Sequence, residues 1–263
     1  MRPHVLLCLL ALTACLFALP ATAVEERRIT VNDREVIVVE PDGAATARLP
    51  LLVILHGGLG NAANIRFNLR MDRMAAEAGV RLAFVQGTPV RASWSPNGRV
   101  WNAGTCCGTA QRRNIDDVDH IADVIARLRP ISTRVTVAGH SNGAMMATRL
   151  ACERPRTASR IFALSGPLLL SRCANMRGLR VTHIHGTRDF NVPHEGGRSS
   201  LGIAQLTFPS LARSASVMRA AGAQVDVILL RGAGHSTRSL SRRLRGATGA
   251  NLQQTLLQAA TGN

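Results

Sequence analysis

Gly139-His140-Ser141-Asn142-Gly143 joins an apolar run at residues 135–138 to a helix-like run at residues 144–150. The pattern predicts a strand, a tight turn and a helix, with Ser141 at the bend. In a nucleophile elbow, glycines two positions before and after the serine let strand and helix approach closely, and the strained turn exposes the hydroxyl. A surface turn whose serine caps a helix can show the same pattern. The strand before Ser141 and the helix after it favour the elbow.

The rest of the chain alternates short apolar runs with helical patterns. Two segments at residues 28–31 and 35–39 predict an antiparallel hairpin. The later apolar runs are continuous, as in strands covered on both faces, and they lie at residues 51–55, 81–85, 135–138, 160–164, 179–184 and 225–230. Helical patterns occupy residues 66–78, 116–129, 141–153 and 208–221. This alternation predicts an α/β fold, with a mostly parallel sheet and helices on both faces.

The N-terminus predicts export. Arg2 precedes an apolar stretch at residues 5–19, and Ala21-Thr22-Ala23 precedes a charged segment. This is the layout of a secretory signal peptide over residues 1–23, cleaved after Ala23, and the apolar stretch is shorter than the ~20 residues of a membrane-spanning helix. We therefore expect a secreted or periplasmic protein.

The segment Leu12-Thr13-Ala14-Cys15 offers an alternative, because it resembles a bacterial lipobox. A lipoprotein anchored at Cys15 would be in contact with a membrane, and this is the one case in which we expect such contact. Residues 24–263 contain no linker or repeat, so we expect a single domain there.

Four cysteines remain after the predicted signal peptide, namely Cys106, Cys107, Cys152 and Cys173. The even number suits two disulfides in an oxidising compartment. A bond between the neighbours Cys106 and Cys107 would be strained, so we expect each of them to pair with Cys152 or Cys173. The spacing lacks the two short Cys-x-x-Cys-like pairs typical of a zinc site, and we expect no metal.

The formal net charge is +16, and the basic residues are all arginines. They are spread along the chain and aromatic residues are scarce, so we expect no nucleic-acid partner. The cluster at residues 238–245 is the local exception and could contact an anionic lipid or polymer.

A catalytic triad can be assembled from residues that follow the predicted strands. In an open α/β sheet the ligand site lies beyond the carboxyl ends of the strands. A serine nucleophile needs a histidine base, and the histidine needs an acceptor that fixes its tautomer. Ser141, Asp189 and His235 follow three strands in the order used by α/β hydrolases. Asp226, inside a predicted strand, and Glu195, farther along the loop, are weaker alternatives to Asp189.

The acyl-transfer intermediate also needs backbone N–H donors for its oxyanion. Asn142 follows the nucleophile and provides one donor, and we expect the second from Gly58 or Leu59 in the glycine-rich loop after residues 51–55. We take three residues near these loops as candidate substrate-binding residues, namely His56, Trp101 and His140. Trp94 and Trp101 could serve as apolar platforms, although tryptophans in such loops more often pack into the core.

Five segments resemble the secreted polyhydroxybutyrate depolymerase and feruloyl esterase-like family of α/β hydrolases. They are residues 50–58, 101–108, 116–118, 140–146 and 183–189, of which the run from Trp101 to the double cysteine is the most distinctive. The resemblance implies an α/β-hydrolase fold without a large cap domain and ester hydrolysis through an acyl-enzyme. It further implies no metal or organic cofactor and supports Ser141, Asp189 and His235 as the triad. The tryptophan and the Asn-Gly-Cys that usually follow are missing from residues 206–223, which leaves the substrate open.

The sequence therefore predicts a secreted serine esterase. Its expected partner is an ester, either a polyhydroxybutyrate-type polyester or oligomer, or a feruloyl or acetyl ester of a polysaccharide. An acyltransferase that uses the same triad is an alternative enzyme. A catalytically silent protein that holds an anionic envelope polymer through its arginines is an alternative from another class.

Overall fold

The computed structural model describes residues 23–90, 92–201 and 206–262. Apart from Ala23, the predicted signal peptide and the lipobox lie outside this part of the chain. Its strands are β1 (Val24–Val31), β2 (Arg34–Pro41), β3 (Leu49–Leu55), β4 (Arg81–Val85), β5 (Thr88–Pro89), β6 (Arg99–Val100), β7 (Ser132–His140), β8 (Arg160–Leu164), β9 (Arg180–Gly186), β10 (Gly197–Arg198), β11 (Thr207–Phe208) and β12 (Gln224–Leu230). Its helices are α1 (Ala62–Leu69), α2 (Asp72–Glu77), α3 (Gly108–Arg112), α4 (Asp117–Leu128), α5 (Asn142–Glu153), α6 (Leu211–Ala220), α7 (Thr237–Thr248) and α8 (Leu252–Thr261).

The central sheet has eight strands in the order β1-β2-β4-β3-β7-β8-β9-β12. The first two pairings are antiparallel, and the pairings from β4 to β12 are parallel. Asn32 and Asp33 have φ values of 50° and 59°, the left-handed conformation that a tight two-residue hairpin turn needs. The predicted hairpin and the predicted, mostly parallel sheet are both confirmed.

Apolar side chains cover both faces of this sheet. In β3, Leu51, Val53 and Leu55 belong to one buried cluster, whereas Leu52 and Ile54 belong to a second. Successive side chains of a strand point to opposite faces, so the two clusters lie on opposite sides of the sheet. One cluster includes residues of α4, α5 and α6, and the other includes residues of α1, α7 and α8. The expected helices on both faces are therefore confirmed.

Some helix boundaries differ from the prediction. The helix expected at residues 66–78 is two helices, because Arg70 ends α1 in the left-handed conformation with φ 47°. Helices α3, α7 and α8 were not predicted. Within the described residues, no helix is long and apolar enough to cross a lipid bilayer.

The expected disulfide pairing is wrong. Cys106 bonds to Cys107, and Cys152 bonds to Cys173. The Cys106 sulfur lies 3.9 Å from the side-chain nitrogen of Asn142, at the first residue of α5. Cys152 lies ten residues farther along that helix, about 15 Å away at 1.5 Å per residue. Disulfide partners have Cα atoms within roughly 7 Å of each other, so the two cysteines cannot pair.

Removing the Cys152–Cys173 bond is expected to lower the free energy of unfolding by about 3 kcal/mol, because the bond closes a loop in the unfolded chain. The measurement is urea unfolding of a Cys152→Ala/Cys173→Ala variant. Cys106→Ala/Cys107→Ala is the matched control, since a bond between neighbours closes almost no loop. Equal destabilisation of the two variants would contradict the prediction.

Candidate active site

The turn between β7 and α5 presents Ser141 at the carboxyl edge of the sheet. Ser141 has φ 55° and ψ −122°, a conformation rare for a residue with a side chain. A side chain at Gly139 would overlap the carbonyl oxygen of Gly143. A side chain at Gly143 would overlap the carbonyl oxygens of Leu55 and His56. Both positions therefore need glycine, and the sharp turn predicted from the sequence is present.

The structure brings Ser141, His235 and Asp189 together in one hydrogen-bonded chain. The Ser141 hydroxyl lies 2.9 Å from His235 Nε2, and His235 Nδ1 lies 2.8 Å from Asp189 Oδ2. Each residue follows the carboxyl end of a different strand, β7, β12 or β9, and these strands are close in the sheet. Glu195 lies 3.9 Å from His194 instead, and Asp226 lies within β12.

Asp189 is buried and held by several donors. Its Oδ1 accepts hydrogen bonds from the backbone N–H groups of Asn191 and Val192 at 3.1 and 2.9 Å. His185 Nε2 lies 3.3 Å from its Oδ2. Burial opposes ionisation, but hydrogen bonds from His185 and His235 outweigh it and hold the pKa of Asp189 well below its usual range. An ionised Asp189 fixes the His235 tautomer whose Nε2 faces the serine.

Of the two oxyanion donors predicted in the loop at residues 57–60, one has a free backbone N–H group and the other does not. Leu59 N–H donates to the Arg99 carbonyl at 2.8 Å, so the prediction that Leu59 could supply the donor is wrong. The N–H groups of Gly58 and Asn142 have no hydrogen-bond acceptor among the described residues. A Cβ placed on Gly58 would lie 3.6 Å from Asn142 Cβ, so these two free donors are close neighbours.

Trp101 is fully buried and cannot serve as a substrate platform, so this prediction is wrong as well. Its indole N–H donates to the His56 carbonyl at 2.9 Å. Its backbone N–H donates to Asn142 Oδ1 at 2.8 Å, and its carbonyl accepts from Asn142 Nδ2 at 3.1 Å. Trp101 therefore fixes the residue that follows Ser141, while Trp94 is exposed and lines the cavity.

His56, like Trp101, has a structural role. Its Nδ1 donates to the Gly57 carbonyl at 2.8 Å, and its Nε2 accepts from Gly87 N–H at 3.1 Å. Both ring nitrogens are used, which removes His56 as a polar contact for a substrate. His140 Nε2 donates to the His235 carbonyl at 2.7 Å, and the two rings are 5.0 Å apart. His140 thus positions the backbone of His235 from the cavity wall.

Sequence reasoning missed Asp117 as a support for the site. Asp117 is fully buried, and its carboxylate accepts from Asn102 N–H at 2.7 Å, from the Thr88 hydroxyl at 3.1 Å and from Arg34 at 2.5 Å. It therefore ties the segment that carries Trp101 to the start of α4. In the sequence Asp117 is only an acid at the start of a helix, and an acid there is explained by its interaction with the helix dipole alone.

A cavity of about 770 Å³ opens above Ser141. Much of its wall is apolar, and this part includes Leu59, Ile65, Val90, Trp94, Val100, Met145, Val192, Leu206 and Phe208. The disulfide-bonded Cys106 and Cys107 add to the same wall. A larger cavity of about 960 Å³ lies by the C-terminal ends of α4 and α5 and contains none of Ser141, Asp189 and His235. The smaller cavity is therefore the candidate substrate site.

Buried histidines predict a loss of stability in mild acid. Burial lowers the pKa of His56 and of His140 to about 4 and that of His183 to about 3, from an ordinary value of 6.5. Below pH 6.5 the unfolded chain binds protons that the folded protein excludes, so the free energy of unfolding falls as pH drops toward 4. The expected slope is up to about 1.4 kcal/mol per pH unit for each histidine. Urea unfolding at several pH values checks this, and a constant free energy between about pH 7 and pH 5 would contradict it.

Comparison with solved structures confirms the α/β-hydrolase fold. TT1662 from Thermus thermophilus is 18% identical, with a TM-score of 0.59 over 92% of this chain and 99% of that chain. A carboxylesterase from Mesorhizobium loti is 16% identical, with a TM-score of 0.52 over 85% of this chain and 99% of that one. At such identities the likeness concerns the fold alone.

Sequence comparison identifies the family. Over 124 residues the chain is 32% identical to "Putative esterase NocK" of Nocardia uniformis subsp. tsuyamanensis. This match covers 45% of the chain and 33% of that protein, so the chain corresponds to only part of its relative. The family described as "Esterase PHB depolymerase" matches residues 36–188, more than half of the chain and including Ser141. The chain therefore belongs to the Esterase PHB depolymerase family.

Proposed function

We propose that this protein is an exported serine esterase that hydrolyses carboxylic esters through an acyl-enzyme on Ser141. The observation that carries the proposal is the hydrogen-bonded chain from Ser141 through His235 to Asp189, which ends at a cavity large enough for a small ester. Membership of an esterase family supports the same chemistry. The Cys152–Cys173 bond supports export, because structural disulfides persist in oxidising compartments.

The geometry assigns each residue a step. His235 Nε2 accepts the Ser141 proton as the serine oxygen attacks the ester carbonyl, and Asp189 stabilises the imidazolium that forms. The N–H groups of Asn142 and Gly58 are free to bind the oxyanion. When the intermediate collapses, the alcohol leaves with the proton from His235. Water then enters and gives a proton to His235 as its oxygen attacks the acyl carbon. When this second intermediate collapses, His235 returns the proton to the Ser141 oxygen and the acid leaves.

The cavity wall favours an ester with apolar substituents. No acidic side chain lines the cavity among the described residues. Hydroxyalkanoate polyesters and their oligomers have short apolar side groups that suit such a wall, and the family description points to the same class. Feruloyl and acetyl esters of polysaccharides remain the alternative substrates within the proposal.

The test uses the mature protein with a series of short-chain nitrophenyl esters and a serine-directed phosphonate. We expect turnover, one phosphonate per chain by intact mass, and an adduct on the peptide that contains Ser141. The fraction of activity lost should equal the fraction of chains labelled. Correctly folded protein with no turnover, or with the phosphonate on another residue, would overturn the proposal.

A further inference from the structure

Among the described residues, Arg112 is the one arginine or acid that lines the cavity above Ser141. It is the last residue of α3, which begins directly after the Cys106–Cys107 pair. No acidic side chain of the described residues lies within ion-pair distance of its guanidinium. The Arg112 side chain is exposed to solvent, so a positive charge stands at the open side of a largely apolar cavity without a carboxylate to neutralise it.

Two consecutive hydrogen bonds connect the Arg112 guanidinium to the cavity wall. Arg112 Nη2 donates to the Thr109 hydroxyl at 3.4 Å, and that hydroxyl donates to the Val90 carbonyl at 3.0 Å. Thr109 and Val90 both line the cavity. Within the part of the chain that the structure describes, this is the one hydrogen bond of the guanidinium, so its remaining donors are available to a ligand.

We propose that Arg112 makes the esterase prefer substrates that carry a carboxylate beyond the scissile ester bond. A guanidinium matches a carboxylate with two parallel N–H donors, and such charge-assisted hydrogen bonds are stronger than neutral ones. The absence of acidic lining residues in the described part of the cavity means that nothing there repels an anion. The inference rests on the proposed esterase function and names the substrate class for it.

This preference separates the two substrate groups left open above. A hydroxyacid oligomer with a free end has a carboxylate a few bonds from its last ester. A feruloyl or acetyl ester on a neutral polysaccharide has none. Arg112 therefore favours oligomers cleaved near their carboxylate end.

The experiment compares kcat/KM for two matched pairs of esters, with the carboxylate on the alcohol side in one pair and on the acyl side in the other. The first pair is the linear dimer of 3-hydroxybutyrate and its primary amide. The second pair is the mono-nitrophenyl ester of adipic acid and its primary amide. The amides keep the size and lose the charge. In at least one pair we expect the acid to be preferred about threefold, as for an ion pair exposed to solvent, and the preference to shrink at high salt.

Three variants assign the preference to the guanidinium. Arg112→Gln should lower kcat/KM of the acid to that of its own amide, and Arg112→Lys should keep part of the preference. Arg113→Gln is the matched control, because Arg113 is the next residue and is exposed as Arg112 is, but lies outside the cavity lining.

Two outcomes would overturn the inference alone, both with nitrophenyl ester turnover intact. One is no preference for the acid in either pair, and the other is a preference that survives in Arg112→Gln. Failure to hydrolyse any ester, together with no phosphonate adduct at Ser141, would remove the proposed function and the inference with it.

Discussion

Ser141→Ala is expected to lower kcat for ester hydrolysis by about 10⁵- to 10⁶-fold, because the acyl-enzyme cannot form without the serine oxygen. The elbow itself should persist, since alanine keeps the Cβ and both flanking glycines remain. The measurement is steady-state hydrolysis of a nitrophenyl ester, with the fraction of active wild-type sites counted by phosphonate titration. The variant should bind no phosphonate.

Ser165→Ala is the matched control for this loss. Ser165 follows β8, the strand next to β7, and its buried hydroxyl has no hydrogen-bond partner among the described residues. Its replacement should leave kcat close to the wild-type value. Turnover by Ser141→Ala that survives further purification, or an equal loss in Ser165→Ala, would refute the assignment of the nucleophile.

Asp189→Asn is expected to lower kcat by about 10³- to 10⁴-fold near neutral pH. The uncharged amide cannot stabilise the His235 imidazolium, and its NH₂ group can face His235 Nδ1 and reverse the tautomer. The measurement is kcat against pH for the variant and the wild type. KM should change much less than kcat, because Asp189 is buried behind His235 and does not line the cavity.

Glu195→Gln and Asp226→Asn are the controls for the acid of the triad. They replace the two other acids considered from the sequence, and neither contacts His235 among the described residues. Both variants should keep wild-type kcat. A larger loss in Glu195→Gln than in Asp189→Asn would assign the acid to Glu195.

The sheet could be predicted because its strands carry a local signal. β4 and the apolar stretch of β3 are continuously buried, and continuous apolar runs predict strands of this kind. Helix α7 has no comparable signal, because only Thr237, Leu240 and Leu244 are buried among its arginines. The break at Arg70 was missed since an arginine has no intrinsic preference for the left-handed conformation that ends α1.

The order of Ser141, Asp189 and His235 could be predicted because each follows a strand and the sheet edge brings them together. The choice between Gly58 and Leu59 could not, since it depends on a hydrogen bond from Leu59 to Arg99, forty residues away in the chain. The buried position of Trp101 likewise depends on hydrogen bonds to His56 and Asn142, which are distant from it in the sequence. The disulfide pairing could not be predicted without knowing that Cys106 lies near Asn142, at one end of α5, and Cys152 near the other end. Long-range contacts of this kind leave no local pattern.

The backbone hydrogen bond from Leu59 to Arg99 limits how the substrate range can be engineered. Arg99 N–H also donates to the Gly60 carbonyl at 2.9 Å, and Asn61 donates to the Asn97 carbonyl at 3.3 Å. The segment that carries Trp94 is therefore held by hydrogen bonds to the loop that carries Gly58. Grafting a foreign loop between β5 and β6 would disturb turnover together with selectivity. A mutant library at Asn64 and Asn68, which line the cavity from α1, would vary its wall and leave these hydrogen bonds intact, because neither side chain takes part in them.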